Sequence, residues 1–253
     1  MKHFFTYLLV ALLPSLAAAQ IVNIEEQRIT GTSDSVHWYG NLRFGANFVK
    51  VQDHVLQLNT AAQIEYKQGK SLFLFLMDGR FLRAGGKQFN NAGFAHLRYN
   101  RKLTDPVSME FFAQAQYNRL LLIELRVLGG GGLRYRLFKD ASGKNRIYAG
   151  TAYLYEKNQF TDETPERNWH RLSTYISFTF RPWQGVTLAN TTYFQPQLAD
   201  WANYRFSTET RLDMPLGKKL SFFTDFSLQT DNALPSDAPE VTYIWQNGLT
   251  FKF

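Results

Sequence analysis

The stretch Val241-Thr242-Tyr243-Ile244-Trp245-Gln246-Asn247-Gly248-Leu249-Thr250-Phe251-Lys252-Phe253 decides how this chain is read. In steps of two, Val241, Tyr243, Trp245, Leu249, Phe251 and Phe253 share one face, and Thr242, Gln246, Gly248, Thr250 and Lys252 share the other. Side chains alternate faces along a β-strand, so the pattern is a strand with one apolar and one polar side. Terminal segments usually fray. An apolar, aromatic last strand is therefore expected to need a neighbouring strand and an apolar medium.

The same alternation runs back through the chain to Val36, giving about twelve strands separated by turn signals. The clearest is Val107, Met109, Phe111, Ala113, Ala115 and Tyr117 against Ser108, Glu110, Gln114, Gln116 and Asn118. Next, Ile123, Leu125, Val127, Leu133 and Tyr135 alternate with Glu124, Arg126, Arg134 and Arg136. Further on, Tyr204, Phe206, Thr208, Leu212 and Met214 alternate with Arg205, Ser207, Glu209, Arg211 and Asp213. Thr104-Asp105-Pro106 marks a turn, because proline cannot donate inside a sheet. The run Leu72 to Leu82 is apolar on both faces at its start, so its orientation is open.

The N-terminus reads differently. Lys2 and His3 precede an apolar run from Phe4 to Leu16, and Ala17-Ala18-Ala19 precedes Gln20. This is the layout of a Sec signal peptide over residues 1–19, too short to span a bilayer as a helix. Residues 20–35 read as a periplasmic lead-in and 36–253 as the folded unit. The 253 residues include no cysteine, which removes disulfides and thiolate chemistry. The net charge of +7 is spread as single Lys and Arg residues, so a nucleic-acid partner is not expected.

Alternation alone does not say which face is inside. A soluble sandwich would bury the apolar face; an outer-membrane barrel would turn it outward. Export favours the second, since an open sheet would leave unpaired backbone groups in lipid. So do the long connections expected after odd-numbered strands (161–168, 197–203 and 231–240), opposite short periplasmic turns. Aromatics also gather near strand ends: Trp38, Tyr66, Tyr99, Tyr117, Tyr135, Trp183, Trp201 and Trp245. The expected fold is an all-β transmembrane antiparallel β-barrel. The final segment resembles the last strand of bacterial outer-membrane barrels. That resemblance implies that Tyr243, Trp245, Leu249, Phe251 and Phe253 form an assembly signal read by the barrel-insertion machinery.

A second resemblance rests on the centre of the chain. Tyr117-Asn118-Arg119, Glu124-Leu125-Arg126 and Gly129-Gly130-Gly131-Gly132-Leu133-Arg134-Tyr135-Arg136 are similar to the salt-induced outer membrane protein family, a domain of unknown function (481). That family typically has an Arg, a Gly-rich strand and then an aromatic. The resemblance implies an outer-membrane location and a barrel, and it brings no catalytic residue with it.

The polar face carries the functional expectations. Arg43, Arg98, Glu110, Glu124, Arg126, Arg134, Arg136, Arg171, Arg205, Glu209, Arg211, Asp213 and Asp225 are expected to line the lumen. Facing lipid, each Arg would cost about 2–4 kcal/mol at mid-membrane. Inside, they make either a narrow pore that mildly prefers anions or a cross-strand network that plugs the lumen. Outer-membrane lipids and lipopolysaccharide are the expected partners. The rival reading is a lipid hydrolase. It needs a base beside a nucleophile, yet His170 and Ser173, three apart on one strand, point to opposite faces. The expectation is not an enzyme, with no cofactor and no metal. Gly129 to Gly132 lack the Lys and Ser or Thr of a phosphate loop, and are read as residues that thin the wall. Asp162, Glu163, Glu166, Asp231 and Asp237 are acidic loop positions whose spacing matches no calcium loop.

Overall fold

The computed structural model describes residues 36–50, 54–85, 87–217 and 220–251. The expected signal peptide and lead-in, together with Lys252 and Phe253, lie outside them. Twelve strands follow one another: β1 (His37–Lys50), β2 (His54–Gln68), β3 (Ser71–Ala84), β4 (Lys87–Lys102), β5 (Val107–Asn118), β6 (Ile123–Lys139), β7 (Arg146–Phe160), β8 (Arg167–Phe180), β9 (Thr187–Pro196), β10 (Tyr204–Pro215), β11 (Leu220–Asp231) and β12 (Val241–Phe251). Each pairs antiparallel with the next, and β1 and β12 stand at the two ends of the order. Among the described residues no pairing joins these two.

The sheet is rolled with its polar face inside. Arg126 on β6 meets Asp231 on β11, and Tyr175 on β8 meets Glu110 on β5. Strands so far apart in a sheet touch through side chains only when the wall curls around them. The accessibilities are inverted relative to a soluble protein: Leu97 is 58% exposed and Leu133 50%, while Arg126 is 2% exposed and Arg171 0%. This is the arrangement in which lipid, not water, covers the outside. On β3 the open question closes with Leu74 and Leu76 inward and buried, packed against Phe94, and Phe73 and Met77 outward.

Aromatic rings form a continuous band on the outer face of β1 to β4. Trp38 and Tyr66 have centroids 4.4 Å apart, Tyr66 and Phe73 6.2 Å, and Phe73 and Tyr99 4.7 Å. The chain enters β1 and leaves β12 at this end of the wall, called here the terminal end. At the other end, the loop end, lie the connections 161–166, 197–203 and 232–240. The expected contrast in length holds only in part, because 140–145 and 181–186 at the terminal end are also several residues long.

The glycine run does thin the wall. A Cβ on Gly132 would collide with the Thr151 carbonyl and Ala152 of β7, and one on Gly130 with the Tyr153 carbonyl. Gly150 on β7 has the Tyr175 ring against the same position. These residues leave a shallow inner surface across which Tyr175 lies to reach Glu110.

Candidate functional site

The site is the lumen, and it is layered. At the loop end, strand ends β6, β7, β8, β10 and β11 bring a charged network together. Arg126 Nη2 lies 3.2 Å from Asp231 Oδ2, and Arg205 Nε lies 2.9 Å from the same oxygen. Arg205 Nη1 reaches Glu156 Oε2 at 3.1 Å, and Arg171 Nε reaches Glu156 Oε1 at 2.9 Å. Arg126 also donates to Asn158, while Arg171 donates to the Gln195 carbonyl at 2.9 Å and to Asn203 Oδ1 at 2.8 Å. The five ionised residues are between 0% and 2% exposed. Buried charges survive only when paired and hydrogen-bonded on their remaining faces, and that condition is met here.

The network is roofed. Ala233 is buried, its carbonyl accepts from Arg167 Nη1 at 2.7 Å, and Leu234 packs against the cluster Leu121, Ile123 and Phe160. Asn232 ties the same connection to the neighbouring loop, donating to the Ala202 carbonyl at 2.6 Å and accepting from Tyr204 N at 2.9 Å. Beneath it, the 3-10 turn Arg119–Leu121 is capped by the Asn118 carboxamide, which accepts from Leu120 N and Leu121 N.

The middle layer centres on Glu110. Its Oε2 accepts from Tyr175 Oη at 2.9 Å and from Arg98 Nη1 at 3.5 Å; Arg134 Nη1 lies 3.8 Å from Oε1. The Arg134 guanidinium also sits 3.8 Å above the Tyr148 ring. Between this layer and the roofed network lies a cavity of about 50 Å³, walled by Gln114, Leu154, Ser173 and Tyr193 among others. On the wall of β10 and β11, Arg211 is 3.0 Å from Asp213, stacks 4.7 Å over Phe223, and stands opposite Asp225 in the strand register.

At the terminal end the lumen opens into a vestibule of about 270 Å³. Its wall includes Lys67, Lys70, Lys102, Arg134, Arg136 and Arg146 against Glu65 and Asp105. Arg136 donates to Asp105, and this guanidinium holds the Asp105 carboxyl below the usual carboxylate range.

The expected lumen residues divide accordingly. Arg98, Glu110, Arg126, Arg134, Arg171, Arg205 and Asp225 are buried on the inner face, and Glu209, Arg211 and Asp213 are half-buried there. Arg136 lines the vestibule. The Arg43 side chain lies outside what is described. Glu124 is a correction: it is exposed, because the β5–β6 register slips between Gln116 and Asn118 and the β6–β7 register between Ile123 and Leu125. A bulge adds one residue and reverses the alternation, which turns Ile123 inward in its place. Asp231 is a second correction. It closes β11 and pairs with two arginines instead of standing in a solvated loop. Glu156 and Asn158 were not foreseen, although Leu154, Glu156, Asn158 and Phe160 follow the period of two that would have placed them inside. Of the assembly positions, Tyr243, Trp245 and Leu249 face outward and are exposed, while Phe253 lies outside the described residues.

His170 and Ser173 do fall on opposite faces. His170 is exposed on the outside, with Tyr153 Oη 2.5 Å from its Nδ1, and Ser173 is buried within.

Comparison with known proteins gives a family and a structural neighbour. The family model described as a protein of unknown function, DUF481, matches residues 42–253. No curated protein matches the chain. Among solved structures, the chain is similar to a NanC porin in a rhombohedral crystal form, with a TM-score of 0.48 and 13% identity, over 78% of this chain and 94% of that one.

Proposed function

We propose that this chain, which belongs to the DUF481 family of proteins of unknown function, is an outer-membrane barrel whose resting lumen is plugged and whose role is to stabilise the envelope. The observation that carries the reading is the loop-end network, in which Arg126, Arg171 and Arg205 meet Glu156 and Asp231 with almost no exposed surface. A hydrated pore would keep such groups wet. In this reading the loop end faces the exterior, the terminal end faces the periplasm, and the signal peptide delivers the chain to the barrel-insertion machinery. Outer-membrane lipids and lipopolysaccharide contact the exposed apolar wall and the loops. The role needs neither catalysis nor a cofactor.

A narrow, mildly anion-preferring pore is the second reading, favoured by the excess of cations over carboxylates at the terminal mouth. Planar-bilayer recording separates the two. Wild-type protein is expected to give negligible conductance, and Glu156→Gln combined with Asp231→Asn to give small openings. Steady anion-selective current from the wild type would replace the plugged barrel with the pore.

A further inference from the structure

We infer that the vestibule at the terminal end is a binding site for a small, multiply charged anion carrying two or more phosphate or carboxylate groups. The inference uses the plugged-barrel reading only to say that the site is approached from the periplasm. Binding itself is measured on solubilised protein, so it stands or falls apart from any conductance result.

Three observations converge on the site. The first is charge. Six cationic residues, Lys67, Lys70, Lys102, Arg134, Arg136 and Arg146, line the cavity beside the carboxylates of Glu65 and Asp105. Counting Glu110, 3.8 Å from Arg134, with the two wall carboxylates, positive charge is still left over, and a recess with low-dielectric walls concentrates the resulting field.

The second is shape. The cations come from different elements: Lys67 and Lys70 from the β2–β3 hairpin, Lys102 from the end of β4, Arg134 and Arg136 from β6, and Arg146 from the start of β7. They therefore surround a volume instead of forming a surface stripe. At about 270 Å³ the vestibule holds roughly nine waters' worth of liquid, room for a ligand of on the order of ten non-hydrogen atoms.

The third is the floor. Below the vestibule, Glu110, Arg98 and Tyr175 bridge the inner wall, and beyond them lies the buried network. Ser108 and Asn100 add neutral hydrogen-bonding groups to the cationic wall. The charge distribution thus favours an anion that enters from one end and stays. A structural barrel has no need for such an excess, because the loop-end network shows that this fold balances charge closely where it buries it.

The test is calorimetric titration of the folded mature chain in a zwitterionic detergent at low ionic strength. The probes are inorganic pyrophosphate and citrate, with acetate at matched ionic strength as the monovalent control. Saturable binding of pyrophosphate, citrate or both, absent with acetate, is the expected result; the stronger probe identifies phosphate or carboxylate as the preferred group. Lys70→Gln with Lys102→Gln, both at exposed positions, should weaken binding by about tenfold. Lys144→Gln, exposed in the 140–145 connection at the same end but outside the cavity wall, should change it by less than about twofold. Heat-dependent gel mobility verifies that each variant is folded. Equal weakening by Lys144→Gln would reduce the effect to general surface charge and overturn the site, as would failure of both polyanions to saturate.

Discussion

The two ends of the lumen handle the same residue types in opposite ways. At the loop end, arginines and carboxylates are nearly matched in number, locked at 2.9–3.2 Å and withdrawn from water. At the terminal end, cations outnumber carboxylates and several groups stay wet, with Lys102 50% and Asp105 56% exposed along their side chains. The difference follows from solvation. An unpaired charge costs several kcal/mol in a dry interior and almost nothing in a hydrated mouth. Burial therefore dictates pairing at one end, and exposure leaves the other end free to carry an excess that a ligand can use.

The strongest attempt to break this comparison is Glu156→Ala. It removes the carboxylate shared by Arg171 and Arg205, and leaves both guanidinium groups buried without that partner. A loss of about 3–5 kcal/mol is expected, read as a lower urea midpoint for the detergent-refolded barrel or as failure to show heat-dependent gel mobility. A loss below about 1 kcal/mol would mean that water reaches the network and that the two ends are not different in kind.

The layer between the ends supplies a smaller effect. Gly132→Ala places a methyl against the Thr151 carbonyl and Ala152, at the position opposite Glu110 in the β5–β6 register. Overpacking of this sort typically costs about 1–3 kcal/mol. The control is Gly45→Ala, where an added Cβ meets nothing within 4 Å. Equal urea midpoints for the two variants would show that the thin wall is incidental to the packing of the middle layer.

Much of this was legible because β-strands report their faces directly. The alternation in β5 and β10 groups Glu110, Arg205 and Arg211 on the polar face, and the first two are buried and the third half-buried, since one polar residue facing lipid is costly enough to fix register. What escaped had particular causes. Glu124 was misplaced because a bulge leaves no mark in composition. The run Leu120-Leu121-Leu122-Ile123 was the available hint, as apolar residues on both faces cannot all look outward. Asp231 read as a loop acid because Asn232, Pro235, Ser236 and Asp237 after it carry turn signals, yet β11 extends to include it. Partner choice across the lumen is set by the curl of the whole wall, and no local pattern joins β6 to β11.

The smallest expected effect belongs to the mouth, and it sharpens the comparison through pH. Asp105 sits in the exposed connection between β4 and β5, accepts from Arg136 and lies 3.8 Å from Lys102. Arg136 lowers its folded-state pKa from the ordinary value. A depressed carboxylate contributes stability that is fully present above the unfolded pKa, near 4, and is lost as pH falls through the folded value. The difference in urea midpoint between wild type and Asp105→Asn should therefore be small and flat from about pH 8 to about pH 5, and should shrink toward zero below about pH 4. Salt at about 0.5 M should also erase it, because the pair is open to counterions. The deficit of Glu156→Ala, set by dry contacts, should persist in the same salt. If instead the Asp105→Asn difference grows on acidification, the carboxyl is stabilised in its protonated form and the mouth is drier than its exposure indicates. If salt cancels both deficits alike, solvent reaches the loop-end network as freely as the vestibule, and the contrast between a paired, sealed end and a charged, open one fails.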